Sequence, residues 1–300
     1  MRLFRNSLIA RTLVTSLAFT AGLATVPVLA QPKPDDRAVS QFWDAYRSLR
    51  NECGSAAWTL WQSNSYERWR TGKSPILTMH YSSRFYQTLP PGPQAVPEPT
   101  RSQAVDTMKK ANDILKATGP DFSTLADYIN AKDFKDDKYK KGDEINKRLT
   151  AAGQACFDVN QEMENIYTVY AEKRAGELAS SAADKPGAQQ RVSDWQMARD
   201  LATELAKGTK VDLAALESKT KALSEMVEKR IADPALAASR FYRDLNKDVA
   251  VELRKTVREI KERPKLLQEY GEQRPRSRFV NLRSEINVGG GRNLLDEISK

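Results

Sequence analysis

The sequence contains one histidine, His80, and two cysteines, Cys53 and Cys156. A single imidazole excludes any site that needs several His ligands, and two thiols exclude a Cys-rich mini-domain. Neither a Cys-x-x-Cys pair nor a His-Glu-x-x-His pattern occurs, so the usual zinc frameworks are missing and no metal or cofactor is expected. Gly and Pro number only 14 each, which excludes a collagen-like or broadly low-complexity chain. Apolar residues make up 40% of the chain against 29% charged, a balance that excludes a polytopic membrane protein. What is abundant is charge of both signs. Against 39 acids stand 48 Lys and Arg, interspersed rather than blocked as in a disordered tail.

The first thirty residues read as an export signal. Arg2, Arg5 and Arg11 form a positive start, Thr12 to Val26 is uncharged and largely apolar, and Pro27 breaks it. Val28-Leu29-Ala30 then sets small residues at the −3 and −1 positions before Gln31. An uncleaved anchor is the competing reading, and the Thr, Ser, Gly and Pro residues within Thr12–Ala30 weaken it. No Cys lies near the cleavage point, so lipoprotein anchoring is not expected. The absence of an Arg-Arg pair there favours Sec export. The expected location is periplasmic.

In an oxidising compartment, Cys53 and Cys156 read as a disulfide. Gly54, Ser55, Ala56 and Ala57 flank the first, and Ala151, Ala152, Gly153 and Ala155 precede the second. Such small neighbours let two helices approach closer than the usual 8–10 Å, towards the ~5.5–6 Å between Cα atoms that a disulfide needs.

Helical periodicity dominates the rest. Val39, Phe42, Tyr46, Leu49, Cys53, Ala56 and Leu60 recur at spacings of three and four, predicting a first helix that runs towards Arg70. A Pro-rich connection over 75–100 follows. Ser102 is placed to cap a second helix, Gly119-Pro120 to end it, and Asp121 to begin a shorter one. Ile145, Leu149, Ala152, Cys156, Val159, Met163, Ile166 and Tyr170 alternate steps of four and three, a heptad seam. Further helices are marked by Val192 to Leu205, by Leu213 to Ile231 behind Asp212, and by Phe241 to Ile260. No window shows convincing alternation of β type. The expected fold is therefore all-α, an elongated antiparallel helical bundle without sheet, occupying 31–264. Residues 265–300 read as a short helical or flexible C-terminal segment, with Gly289-Gly290-Gly291 as a turn.

Two stretches carry a family resemblance: Ala38 to Asn51, and Asp133-Phe134-Lys135-Asp136-Asp137-Lys138-Tyr139-Lys140-Lys141-Gly142 with the heptad helix after it. They resemble the YiiG-like family of exported bacterial proteins, a domain of unknown function, over roughly 36–260. The resemblance implies an envelope-located helical domain and no established catalytic residues. Several relatives are lipoproteins, whereas this chain lacks the acylated Cys. Read physically, the second stretch is a helix junction, with Phe134 and Tyr139 as anchors and Asp136, Asp137 or Asp143 as caps. A calcium loop over Asp133–Glu144 is opposed by Lys135 at a ligand position and Lys138 where the turn wants Gly.

The remaining chemistry is sparse. A Ser-His-Asp or Cys-His site would need His80, which has no patterned nucleophile nearby. Aromatics are concentrated early, with four of five Trp at 43, 58, 61 and 69. Central packing in a bundle explains most of them. The alternative is a stacking surface made of Trp58, Trp61 and Trp69, with Tyr81, Phe85 and Tyr86 as a lid. Arg274, Arg276, Arg278 and Arg283 lie in a window without acids and read as a contact for an anionic surface. The expected function is a non-catalytic envelope binding or structural module, facing a glycan, a peptide or an anionic membrane surface. Nucleic acid is disfavoured by compartment. An envelope hydrolase acting through a carboxylate pair is the alternative.

Overall fold

A computed structural model describes residues 34–61, 64–73, 86–272 and 274–299. The expected leader, His80, Tyr81, Phe85 and the Trp61 side chain lie outside the described residues. Among the described residues the regular elements are all helical, with no strand. In chain order they are α1 (Pro34–Trp61), α2 (Asn64–Arg70), α3 (Thr100–Ala131), α4 (Phe134–Asp137), α5 (Lys140–Ser181) and α6 (Lys185–Leu205). Then come α7 (Leu213–Ala232), α8 (Arg240–Asp244), α9 (Val251–Glu262), α10 (Leu266–Gly271), α11 (Arg278–Ser284) and α12 (Gly291–Ile298). No described helix is long and apolar enough to cross a membrane.

The 42-residue α5 is the axis of the fold, about 63 Å long at 1.5 Å per residue. Its heptad seam predicts one buried stripe, and Ile145, Leu149, Cys156, Val159, Met163 and Tyr170 are all buried. Contacts across the seam run in opposite numerical order. Trp43 packs on Tyr170, the Tyr46 hydroxyl donates to the Met163 carbonyl at 3.0 Å, and Cys53 faces Cys156. α1 therefore runs antiparallel to α5. So does α3, whose Lys110 pairs with Glu162 and whose Asp121 pairs with Arg148. The same logic continues through Arg199–Glu172 between α6 and α5, Arg230–Asp194 and Lys219–Glu204 between α7 and α6, and Arg254–Glu228 and Lys261–Glu217 between α9 and α7. The paired bridges set α7 antiparallel to α6 and α9 antiparallel to α7.

Several local expectations are corrected. Gly119-Pro120 does not end a helix, because α3 runs through it to Ala131. Leu115, Thr118, Phe122 and Leu125 are buried on one face on both sides of Pro120. Shared packing against α5 outweighs the roughly 3 kcal/mol that Pro costs inside a helix. Ser102 does not cap α3 with its own oxygen. The Glu98 carboxylate does so, accepting from the Ser102 amide at 3.1 Å and its hydroxyl at 2.8 Å. Asp212 caps α7 as its sequence position suggests, and Asp184 caps α6.

Phe241, Leu245, Val249, Leu253 and Val257 repeat every four residues, and all are buried. In an ideal α-helix four residues turn about 400°, so such a stripe drifts by about 40° each step. A π segment over Leu245–Ala250 absorbs the drift by widening the turn. Leu282, Ile286, Gly290, Leu294 and Ile298 show the same four-residue repeat, and here too a π segment, Glu285–Gly290, interrupts the helix. The two wide turns pack against each other.

Residues 265–299 are thus not a loose tail, nor is Gly289-Gly290-Gly291 a flexible turn: the triplet continues the helix from the second π segment into α12. Phe279, Ile286 and Leu294 are fully buried. A Cβ on Gly291 would stand 2.9 Å from the Trp195 ring, and the Trp195 indole N–H donates to the Ile286 carbonyl at 2.9 Å. The glycines let the indole lie against the backbone.

Candidate binding cavity

Where α1 leaves the Cys53–Cys156 contact, polar residues replace the seam on one flank. Taking each Cys as zero at 100° per residue, Arg50 falls near ~60° on α1, and Asn160 and Glu164 near ~40° and ~80° on α5. All three point towards α11. Glu164 is 1% exposed and Arg50 7%. Arg50 Nη2 donates to Glu164 Oε2 at 3.2 Å and to Ser284 Oγ at 2.7 Å. Arg283 Nε and Asn287 Nδ2 each donate to Glu164 Oε1 at 3.0 Å. One buried carboxylate thereby fastens α1 and the C-terminal helices to α5.

Two guanidiniums share this carboxylate, and the Glu285 carboxylate also acts on Arg50. Burial pulls the Arg50 guanidinium down from its usual range, and Glu164 beside it acts in the opposite direction. Asn160 supports the backbone here, its Nδ2 donating to the Arg50 carbonyl at 2.7 Å. Gly54 permits that approach, since a Cβ there would stand 3.0 Å from Asn160 Nδ2.

Beside this network lies a cavity of about 260 Å³. α1 supplies Arg50, Asn51, Gly54 and Ser55, α5 supplies Phe157 and Asn160, and α11 supplies Val280, Asn281 and Ser284. Pro275 and Arg276 close it from the preceding loop. Among the described residues two guanidiniums, three amides and two hydroxyls line it, and no carboxylate does. Arg50 Nε is itself buried and makes no hydrogen bond. Arg276 adopts a positive φ of 60° and holds its guanidinium 5.0 Å over the Trp58 ring. Asn281 Nδ2 donates to the Arg276 carbonyl at 3.3 Å and fixes that conformation.

The Arg window expected to form an anionic-surface patch is divided by the fold. Arg274 pairs with Glu272 and Arg278 with Glu252, both at 2.7 Å, while Arg283 is drawn in to Glu164. The partners come from other helices or just outside the window, so the sequence window concealed them. Arg276 is exposed and meets the Trp58 face.

The aromatic candidates separate as well. Trp58 is half-buried next to the cavity. Trp69 sits elsewhere, 5.1 Å edge-on to Phe134, 5.8 Å from Tyr139 and 5.9 Å from Tyr66. Those rings form the helix junction before α5, where Phe134 and Tyr139 stack at 5.2 Å. Asp137 accepts from the Lys141 amide at 2.9 Å, and Asp143 accepts from the Tyr66 hydroxyl at 3.0 Å and from Arg70 Nη2 at 2.9 Å. Lys138 and Tyr139 both take positive φ, 53° and 70°, so the junction makes its left-handed turn without glycine. Tyr86 is held by its backbone. Its amide donates to Asn112 Oδ1 at 2.7 Å, and its carbonyl accepts from Asn112 Nδ2 at 3.0 Å. Trp69 therefore packs into the helix junction, whereas Trp58 meets Arg276.

The two cysteines are brought together but not bonded. Both are buried free thiols with Sγ atoms 2.9 Å apart, against about 2.05 Å in a disulfide. The hydrogen bond shared with Cys156, together with burial, pushes the Cys53 thiol well up from its ordinary range.

Other buried acids are saturated by donors. Asp194 accepts from Arg230, Gln190 and the Tyr242 hydroxyl. Glu204 accepts from Lys207 and the Asp212 amide. Asp244, Asp248 and Glu285 approach one another between the π segments, where burial and then Asp248 raise Glu285. The hollow they line holds about 20 Å³, room for a water and not for a sugar ring. A wider groove of about 660 Å³ between α7 and α9 is tied across by Arg254–Glu228 and Lys261–Glu217. Among the described residues no group of three or more His, Cys, Asp or Glu is arranged to hold a metal ion.

Comparison with protein-family profiles, with curated proteins and with solved structures found no match.

Proposed function

We propose that the protein is a non-catalytic binding module of the cell envelope, exported by its N-terminal signal and similar to the YiiG-like proteins. In this reading the cavity between α1, α5 and α11 is where it meets a small ligand or the end of a polymer. The observation that carries the reading is the polar lining of that cavity, two guanidiniums, three amides and two hydroxyls with no carboxylate among the described residues. The lack of an acid in the lining also argues against hydrolysis at this place, since glycosidic cleavage uses two carboxylates across the bond. The same reading places a disulfide between Cys53 and Cys156 after export. The test is to incubate the processed chain with envelope glycans and cell-wall peptides and follow binding and turnover together. Saturable binding without product is expected; turnover that disappears on substitution of one carboxylate would favour the hydrolase instead.

A further inference from the structure

The helix that runs from α8 through the first π segment into α9 buries Phe241, Leu245, Val249, Leu253 and Val257 at steps of four. Arg243, Lys247, Val251 and Lys255, two positions on, repeat at the same steps, and all four are exposed. In a plain α-helix such a row would drift by about 40° per step. The π segment that keeps the buried row in line keeps the exposed row in line too. Arg258, also exposed, extends it by one turn. Four cations therefore stand in a row roughly 20 Å long on the side away from the core, with Val251, 41% exposed, among them.

Most acids of the same helix are engaged elsewhere. Asp244 accepts from Asn293 Nδ2 at 3.0 Å, and Asp248 lines the hollow beside Glu285, reaching Lys247 only at 4.0 Å. Glu252 pairs with Arg278, and Glu259 accepts from the Tyr270 hydroxyl at 2.6 Å. On the α7 flank, Glu217 and Glu228 are held by Lys261 and Arg254. Glu262 is exposed at the far end, followed by the exposed Arg263 and Lys265. The neighbouring α7 differs, exposing Glu217, Lys221, Glu225 and Glu228, an ordinary solvated face of both signs. Residues 240–283 hold 13 Lys or Arg against seven Asp or Glu, a surplus of six. The whole chain has nine, and Arg2, Arg5 and Arg11 of the leader supply the other three, so the remainder is balanced.

We propose that this row docks the protein on an anionic lipid surface, with phospholipid headgroups meeting Arg243, Lys247, Lys255 and Arg258. A straight row on the outside of one helix suits a plane of charges better than a single small ligand. A helix with a basic face is the pattern of adsorption to membrane surfaces. Each Lys or Arg brought to such a surface strengthens binding by about fivefold. Val251 adds apolar area that the contact removes from water. The proposal is independent of what the cavity binds.

The test is co-sedimentation of the processed full chain with vesicles of phosphatidylglycerol mixed into phosphatidylcholine, and with vesicles of phosphatidylcholine alone. Binding to the acidic vesicles is expected at about 0.1 M salt and its loss at about 1 M, where the screening length falls from ~10 Å to ~3 Å. The neutral vesicles are expected to leave the chain in solution. Lys247→Gln, Lys255→Gln and Arg258→Gln together change only exposed side chains and are expected to weaken binding about tenfold or more. Lys109→Gln, Lys147→Gln and Lys173→Gln remove the same charge from exposed positions on α3 and α5 and are expected to leave binding within about threefold. No sedimentation with acidic vesicles at about 0.1 M salt, equal sedimentation with neutral ones, or equal weakening by the two triple variants would overturn the proposal. So would retention on heparin by a chain that ignores acidic vesicles, which would assign the row to a soluble polyanion.

Discussion

Arg50 on α1 and Glu164 on α5 form a buried ion pair, 3.2 Å between Nη2 and Oε2, that also reaches α11 through Ser284 and Arg283. Removing one partner of such a network strands the others. Glu164→Leu takes from the buried Arg50 and the half-buried Arg283 the carboxylate they share and is expected to lose about 3–5 kcal/mol. Glu164→Gln keeps an acceptor and is expected to lose less, about 1–3 kcal/mol. Urea unfolding of the two variants checks the order, which is contradicted if they are equally stable.

Two glycines predict opposite outcomes. Gly176 lies within α5 with nothing within 4 Å of a built Cβ, so Gly176→Ala is expected to stabilise by about 0.5–1 kcal/mol. Gly271 ends α10 against the Gly208–Thr209 backbone, where a Cβ would stand 2.7 Å from main-chain atoms. Backbone cannot turn aside as a side chain can, so Gly271→Ala is expected to cost about 1–3 kcal/mol. Thermal melts of the pair decide it, with shifts of opposite sign expected.

Much of this architecture was legible as period. The α1 and α5 seams came directly from spacings of three and four, and so did the juxtaposition of Cys53 and Cys156. Pro120 misled because propensity is local, whereas the stripe that continues from Leu115 to Phe122 is bought by tertiary packing. The π segments had a signal in the uninterrupted four-residue steps of Phe241–Val257 and Leu282–Ile298. The cavity was less legible. Arg50, Asn160 and Glu164 sit at the flank of the heptad seam, where polar residues normally read as solvated, and the return of α11 helps to bury Arg50 and Glu164 and to cover Asn160 in part. Arg283 looked like part of a basic patch because its acid lies 119 residues away.

Acid should loosen the α6–α7 hairpin. Lys207, then the Asp212 amide, hold the Glu204 carboxyl below the usual Glu range. A carboxyl lowered in the folded state contributes stability above its unfolded pKa, about 4.3, and loses it as pH falls through the folded value. Glu204→Gln should therefore be less stable than the parent at pH 7, with the gap closing as pH drops below about 4. Denaturant midpoints across that range measure it; a gap independent of pH would rule out the charge as its source.

The seam between α1 and α5 organises everything else, and its midpoint is the 2.9 Å contact of Cys53 with Cys156. The most direct test is peptide mapping of the processed native chain after mild oxidation, with alkylation of any remaining thiol. The account predicts a single intramolecular Cys53–Cys156 link, formed in full and lighter than the reduced chain by two hydrogens. Two thiols that both stay alkylatable after oxidation, or links only between different chains, would contradict it.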